Sequence, residues 1–253
     1  VELLKGGFPA RYGGRLSSVI DIYVKEGNAK EFSGVASIGL ISSKLTLEGP
    51  IKKDTTSFLV SARRTYIDVL TQPLIQAFSP GDVTAGYYFY DLNAKINHKF
   101  SEKDRIYFSI YAGNDRFYAK ANQKYSDDGT QYESVNKFKL GWGNLTSSLR
   151  WNHLLTHKLF ANTTLTYSQF KFITNAEAGT ITKPASGSET RNVFSLEYLS
   201  GINDWSGKTD FDYFPTPDHN IKFGINGIYH TFNTGALQFK ATINNTDQDT
   251  TLG

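Results

Sequence analysis

The chain has no cysteine and no methionine, only 7 prolines, and no long uninterrupted hydrophobic run. Without cysteine there is neither a disulfide frame nor a thiolate metal site. No stretch approaches the ~20 consecutive apolar residues of a membrane-spanning helix. Charge of one sign is scarce too: 27 Lys and Arg against 24 Asp and Glu leave +3, with no basic block, which argues against a nucleic-acid partner. A chain that begins at Val1, without methionine or a leader, is expected to be an internal piece of a longer protein.

Aromatic residues are plentiful, 15 Tyr, 18 Phe and 3 Trp in 253 residues. Mean hydropathy is -0.38, a value that reads as water-soluble. A transmembrane β-strand gives the same reading, because its lipid-facing and lumen-facing residues alternate and average out.

Period-two alternation dominates. Over 87–100, Tyr88, Tyr90, Leu92, Ala94, Ile96 and Phe100 oppose Asp91, Asn93, Lys95, Asn97 and Lys99. Ile106, Phe108, Ile110 and Ala112 oppose Tyr107, Ser109 and Tyr111 in the next segment. Comparable patterns recur around Leu149, Leu165 and Ile225. Short polar turns at 52–55, 101–104, 155–158 and 214–219 alternate with longer links at 70–86, 117–134, 175–190 and from 235 onward. Outer-membrane barrels show this alternation, with short periplasmic turns and long outer loops. A barrel entered from the periplasm reaches its first short turn after an even number of strands, so 32–49 is divided into an up strand, a turn at 41–43 and a down strand.

The expected strands are therefore 32–40, 43–49, 56–69, 87–100, 105–118, 133–153, 158–174, 191–213 and 219–234. Pro50 is expected to end the second, since it cannot donate to a ladder. Over 191–213 the apolar parity changes between Tyr198 and Trp205, which predicts a β-bulge near Gly201. Nine strands is odd, so the sheet is expected to be part of a larger barrel, because an unclosed edge in lipid leaves backbone groups unpaired.

The stretch KGGFPARYGGRLSSVIDIYVKEGN, residues 5–28, resembles the end of the plug of a TonB-dependent outer-membrane receptor. The matching residues are Lys5, Gly6, Tyr12, Gly13, Ile20, Ile22 and Lys25, with Gly14 and Arg15 in the same passage. Residues 34–70 are similar to the opening of the barrel in receptors of the Bacteroidetes type. The resemblance implies an all-β architecture. Residues 1–30 would close the plug, with a strand at 18–25 and a hinge at 26–31. Residues 31–253 would form the first strands of an antiparallel up-and-down transmembrane barrel. It also implies import of a scarce nutrient (a siderophore, glycan or peptide) across the outer membrane of a Gram-negative bacterium. The implied partners are outer-membrane lipid, TonB acting on an upstream segment, the remainder of the barrel and a surface lipoprotein; no cofactor is implied.

Arg11 and Arg15 are candidates for holding the plug against wall carboxylates, or for solvated positions at the periplasmic mouth. Arg63 shares the parity of Ser61 and Thr65 and is the lumen candidate over Arg64; Asp91, Lys95, Tyr107 and Tyr111 are further lumen or ligand-facing candidates. Tyr87 to Tyr90, Phe117 and Tyr118 read as an aromatic girdle or as a stacking platform. The five histidines lie at strand ends and turns and make no catalytic or metal set, and Asp127 to Gly129 and 244–249 lack calcium-loop spacing. A membrane-embedded hydrolase and a soluble glycan-binding β-module are the alternative functions. The first requires a His-based catalytic set at the outer rim, the second a monomer independent of detergent.

Overall fold

The computed structural model describes every residue except Phe8, Ala10, Arg11, Gly14, Arg15, Leu16, Tyr23, Pro80, Gly81 and Gly253. Two short strands, β1 (Glu2–Leu4) and β2 (Val19–Asp21), pair antiparallel with Glu2 opposite Asp21. Then come β3 (Ser33–Ile38), β4 (Ser42–Lys52), β5 (Thr56–Thr65), α1 (Ile67–Phe78), β6 (Asp82–Lys99) and β7 (Asp104–Asp127). The last five are β8 (Thr130–Thr156), β9 (Leu159–Lys183), β10 (Thr190–Thr216), β11 (His219–Ile243) and β12 (Thr246–Leu252). From β3 to β12 each strand pairs antiparallel with its sequence neighbours, so the chain is all-β and up-and-down, as expected. The sheet has ten strands rather than the expected nine, because Thr246–Leu252 forms a further strand where a link is expected, so an odd count no longer points to a larger barrel. It is not closed into a barrel, and β3 and β12 are its edges.

All nine expected strands are present and the four short turns fall where expected, but five local expectations are corrected. The strand predicted over 56–69 stops at Thr65, and the link that follows contains α1, with Pro73 inside it. The other long links are mainly strand. β7 and β8 run on to a two-residue turn at Asp128 and Gly129, and β11 and β12 meet at Asn244 and Asn245. Asymmetry between the two ends of the sheet thus lies in strand length rather than loop length. Pro50 does not end its strand, for β4 reaches Lys52 with a register shift after Pro50. The β3 ladder has already ended at the Ser33–Glu48 pair, so the missing N–H interrupts nothing on that side. The strand expected over 18–25 is only Val19–Asp21.

The bulge near Gly201 is the most informative correction. β10 keeps unbroken register with β9, from Thr190 opposite Thr182 to Tyr213 opposite Leu159. A shift does occur against β11, where Leu199 meets Ala236 but Gly201 meets Asn233. The extra residue therefore lies in β11, beside Thr234 and Gly235. Apolar parity in β10 changes without any flip of the strand: the apolar side chains have moved from one wall of the sheet to the other.

Pairing rows show the same exchange across the sheet, since directly opposed residues share a face. At the short-turn level one face carries Leu92, Ile96, Phe108, Leu149, Leu165, Trp205 and Ile225. Four such positions along a strand span about 20 Å from first to last. Above this band the same face becomes polar or bare, through the row Asn114, Gly143, Lys171, Gly201 and Asn233. The opposite face does the reverse. It is polar beside the band, and above it bears Phe117, Phe138, Trp142, Phe172, Tyr198 and Phe232. β7 to β11 have 24 to 27 residues each and extend about 80–90 Å, far beyond the band.

Turn chemistry explains the long hairpins. Asp128 and Gly129 both have positive φ, 44° and 75°, the type I′ geometry that matches strand twist. Beyond them Tyr125 and Tyr132 stack at 4.7 Å. Replacing Gly129 by valine puts a β-branched residue in left-handed space, at a cost of roughly 1–2 kcal/mol. Hydrogen exchange of the amides between Tyr125 and Tyr132 is expected to rise about tenfold in Gly129→Val; unchanged exchange refutes this account of the turn.

Candidate functional site

The site is the polar face at band level, and the chain's own N-terminal segment lies on it. Alternation places Lys95 on β6, Arg105 and Tyr107 on β7, Arg150 on β8 and Lys208 on β10 on this one face. Lys95 Nζ donates to the Val24 carbonyl at 3.0 Å and lies 3.9 Å from Glu26. Arg105 and Arg150 approach the same carboxylate at 3.8 and 4.0 Å. Tyr107, only 7% exposed, forms the floor, with the Arg150 guanidinium 4.2 Å from its ring centre and Lys95 5.5 Å away. Such contacts combine cation–π attraction with charge pairing in a space large enough for water. That space, about 610 Å³, lies between the segment and the sheet and is bordered by Ile22, Val24, Glu26, Tyr107, Arg150 and Lys208.

Two attachments are tighter. Glu48, 8% exposed, accepts from Lys25 Nζ at 2.6 Å, Ser33 Oγ at 3.0 Å and the Asn28 amide at 3.2 Å. Fully buried Ser57 donates to the Gly27 carbonyl at 2.7 Å and accepts from Asn97 at 2.6 Å. Gly27 lies directly on β5: a Cβ there would stand 2.0 Å from the Phe58 carbonyl oxygen, so glycine is required.

The residues singled out in the sequence fall into separate groups. Tyr12 donates to Asp21 at 2.7 Å, with Lys208 5.6 Å from its ring centre. Gly13 and Ile22 border the space under the segment, Ile20 pairs with Leu3 in the small sheet, and Lys5 and Gly6 are exposed. Arg11, Gly14 and Arg15 lie outside the described residues. Arg63 and Asp91 oppose each other on the covered face and are paired at 2.7 Å, with Arg63 also over Phe89. Arg64 is on the other face, 5.4 Å from the Tyr88 ring. Lys95 and Tyr107 belong to the central cluster, four residues along β6 from Asp91, about 13 Å. Tyr111, opposite Asn93, brings its hydroxyl over Gly113 beside the Arg63–Asp91 pair.

Glu26, Glu48, Arg105 and Arg150 were not singled out by sequence. The parity of Arg105 and Arg150 with Tyr107 carried the signal for two of them; nothing local marks the glutamates. The aromatic run from Tyr87 to Tyr90 divides by parity, Tyr88 and Tyr90 on the apolar face, Tyr87 and Phe89 on the other. Tyr87 donates to Asp115 at 2.5 Å above the polar cluster. The rings there, Phe117 near Phe138 and Phe172 near Tyr198, give a wall that can stack flat or sugar-like groups. His153 pairs with Asp104 beside Trp151 at the short-turn rim. Among the described residues no three His, Cys, Asp or Glu are gathered to hold a metal.

The carboxylates should differ in weight. Glu48→Gln removes a charge that accepts three close hydrogen bonds, each charged one typically about 1.5–3 kcal/mol. Exchange of the Asn28 amide, bonded directly to Glu48, is expected to accelerate at least about tenfold. Glu26→Gln, whose partners are all near 4 Å, should change it by less than about threefold. Equal effects would contradict the hierarchy. No family model matches this chain, nor does any curated protein or solved structure.

Proposed function

We propose that this chain is a section of the wall of an outer-membrane β-barrel transporter of the TonB-dependent kind, with residues 1–30 as the end of its plug and residues 31–253 as its first barrel strands. One observation carries the reading. The sheet's polar wall is covered by the N-terminal segment, while its apolar band is left bare: Leu165 is 56%, Trp205 61% and Ile225 75% exposed. A water-soluble sheet covers its apolar face and leaves the polar one wet. A transmembrane wall does the opposite, with an apolar band about 25 Å tall outside and a polar lumen inside.

Aromatic side chains at both edges of the band support the same orientation. Tyr90, Tyr167, Trp205 and Tyr229 lie toward the long-strand end and Trp151, Phe211 and Phe223 toward the short turns. The short-turn end faces the periplasm and the long strands rise outside the cell. Lipid covers the band, and further strands pair with the open edges. The aromatic upper part of the covered face is then the wall of an outer vestibule, where a siderophore, glycan or peptide meets the barrel. TonB acts on the plug upstream of this segment, and a surface lipoprotein can close the vestibule. The chain's own role is containment and contact rather than chemistry.

Two substitutions test the wall assignment. Phe108→Arg places a cation in the middle of the band, at a cost of about 2–4 kcal/mol in a bilayer. Ser168→Arg adds the same charge to the polar face, opposite Asp204, and should cost under about 1 kcal/mol. Expressed within the complete barrel with its export signal, the unmodified protein and Ser168→Arg are expected in the detergent-extracted membrane fraction, with Phe108→Arg strongly depleted. A chain that is folded and monomeric in buffer without detergent overturns the proposal.

A further inference from the structure

The outward face changes character in one step above the apolar band, and a groove of about 420 Å³ lies there. Its sides are Arg116 on β7 and Lys171 on β9. The strand between them presents only Gly141 and Gly143 outward, and β10 presents Gly201. A Cβ at Gly141 would meet Arg116 Cδ at 3.2 Å and Ile173 at 3.4 Å, so these side chains lie over a floor that has none of its own. Arg116 and Lys171 stand two strand spacings and one row apart, about 12 Å along the sheet, a gap that their long side chains can close on one doubly charged group.

Charge there is of one sign. Arg116 Nε donates to Asn114 at 2.7 Å, and neither Arg116 nor Lys171 has a carboxylate partner among the described residues. The outward carboxylates Glu197 and Glu177 stand four and six residues farther from the Lys171 row, about 13 and 20 Å, and Glu177 is already paired with Lys137 at 2.8 Å. Asp115 points through the other face, toward Tyr87.

We infer that this groove binds the phosphate-bearing headgroup of a membrane lipid, an assignment that rests on the transmembrane reading above. The groove meets the apolar band through Leu145, one row below it on β8; on β9 and β10 the row Gln169 and Asn203 intervenes before Tyr167 and Trp205, on the face where acyl chains would run. Arg and Lys supply charge-assisted donors to phosphate oxygens, and the glycine floor lets the headgroup approach the backbone. Asn114 and Asn233 can bond the ester or sugar oxygens around it. Each lipid at this position fixes the height of the barrel in the bilayer, because the cations hold the phosphate layer at the upper border of the apolar band.

The test uses the full chain in a neutral detergent with dihexanoylphosphatidic acid, dihexanoylglycerol or inorganic phosphate, read by native mass spectrometry. Phosphatidic acid is expected to be retained at least about tenfold more than the phosphate-free lipid, with inorganic phosphate failing to displace it. Arg116→Ser with Lys171→Ser should reduce retention to the level of the phosphate-free lipid. Gly141→Val keeps both cations, fills the floor and should show the same loss; Lys222→Ser on the opposite face should not. Unchanged retention in both groove variants, with detergent binding and circular dichroism intact, overturns the inference alone. Displacement by inorganic phosphate also overturns it, by making the groove a simple anion site. A chain that binds no detergent removes the transmembrane reading and this one together.

Discussion

The backbone ladder joining β3 to β12 decides which side chains share a wall. Successive residues of a strand point to opposite faces, and directly opposed residues of neighbouring strands point the same way. Once Phe108 pairs with Leu149, and Leu149 with Leu165, the position of every other residue in those strands follows. A one-residue slip would exchange the walls, so the burial requirement of each level fixes the register of the whole sheet. Because β9 and β10 remain in step from end to end, the change of apolar parity along β10 has to be chemical. The apolar side chains lie on one wall at the short-turn level and on the other above it.

This explains what could be read from the sequence. Strong alternation within one environment, as in 87–100 and 105–112, gave the strands and their faces. Polar turns such as 101–104 were equally clear, because they interrupt that alternation sharply. The ends of β7, β9 and β11 beyond 118, 174 and 234 were read as links because side chains such as Lys120, Asn122, Glu177 and Lys240 are as polar as loop residues. Such a strand keeps its hydrogen bonds and loses its alternating pattern. α1 was missed for another reason. Its 12 residues include Pro73, and its apolar side chains Val69, Leu74 and Phe78 are all exposed, so no buried stripe marks a helix.

The site was legible by half. Parity placed Arg63, Asp91, Lys95 and Tyr107 on one wall, and the structure adds their partners. It could not show that Lys95 reaches a carbonyl 71 residues away, or that Glu48 gathers Lys25, Asn28 and Ser33. Those contacts depend on where the N-terminal segment returns to the sheet, and a segment with little regular structure has no period to locate it. Gly27 was the one local clue, since a glycine beside charged residues at the entry to a sheet marks a close backbone approach.

The attachment of that segment is graded along its length. Around residues 25–28 it is held by the hydrogen bonds of Lys25 and Asn28 to Glu48 and by the buried Ser57 contact, beside the covalent passage into β3. At Glu26 three cations contribute through wet space at nearly 4 Å, and Lys208 stands 5.6 Å from the centre of the Tyr12 ring. Among these described contacts the buried, charge-assisted ones lie closest to β3. On the transporter reading this placement has a consequence. The solvated pairs at Glu26, each worth about 1 kcal/mol, yield before the contacts at Glu48 and Ser57. The junction with β3 then holds, because buried charge-assisted bonds resist where solvated pairs do not, and motion of the plug is kept from unzipping the first strand of the wall.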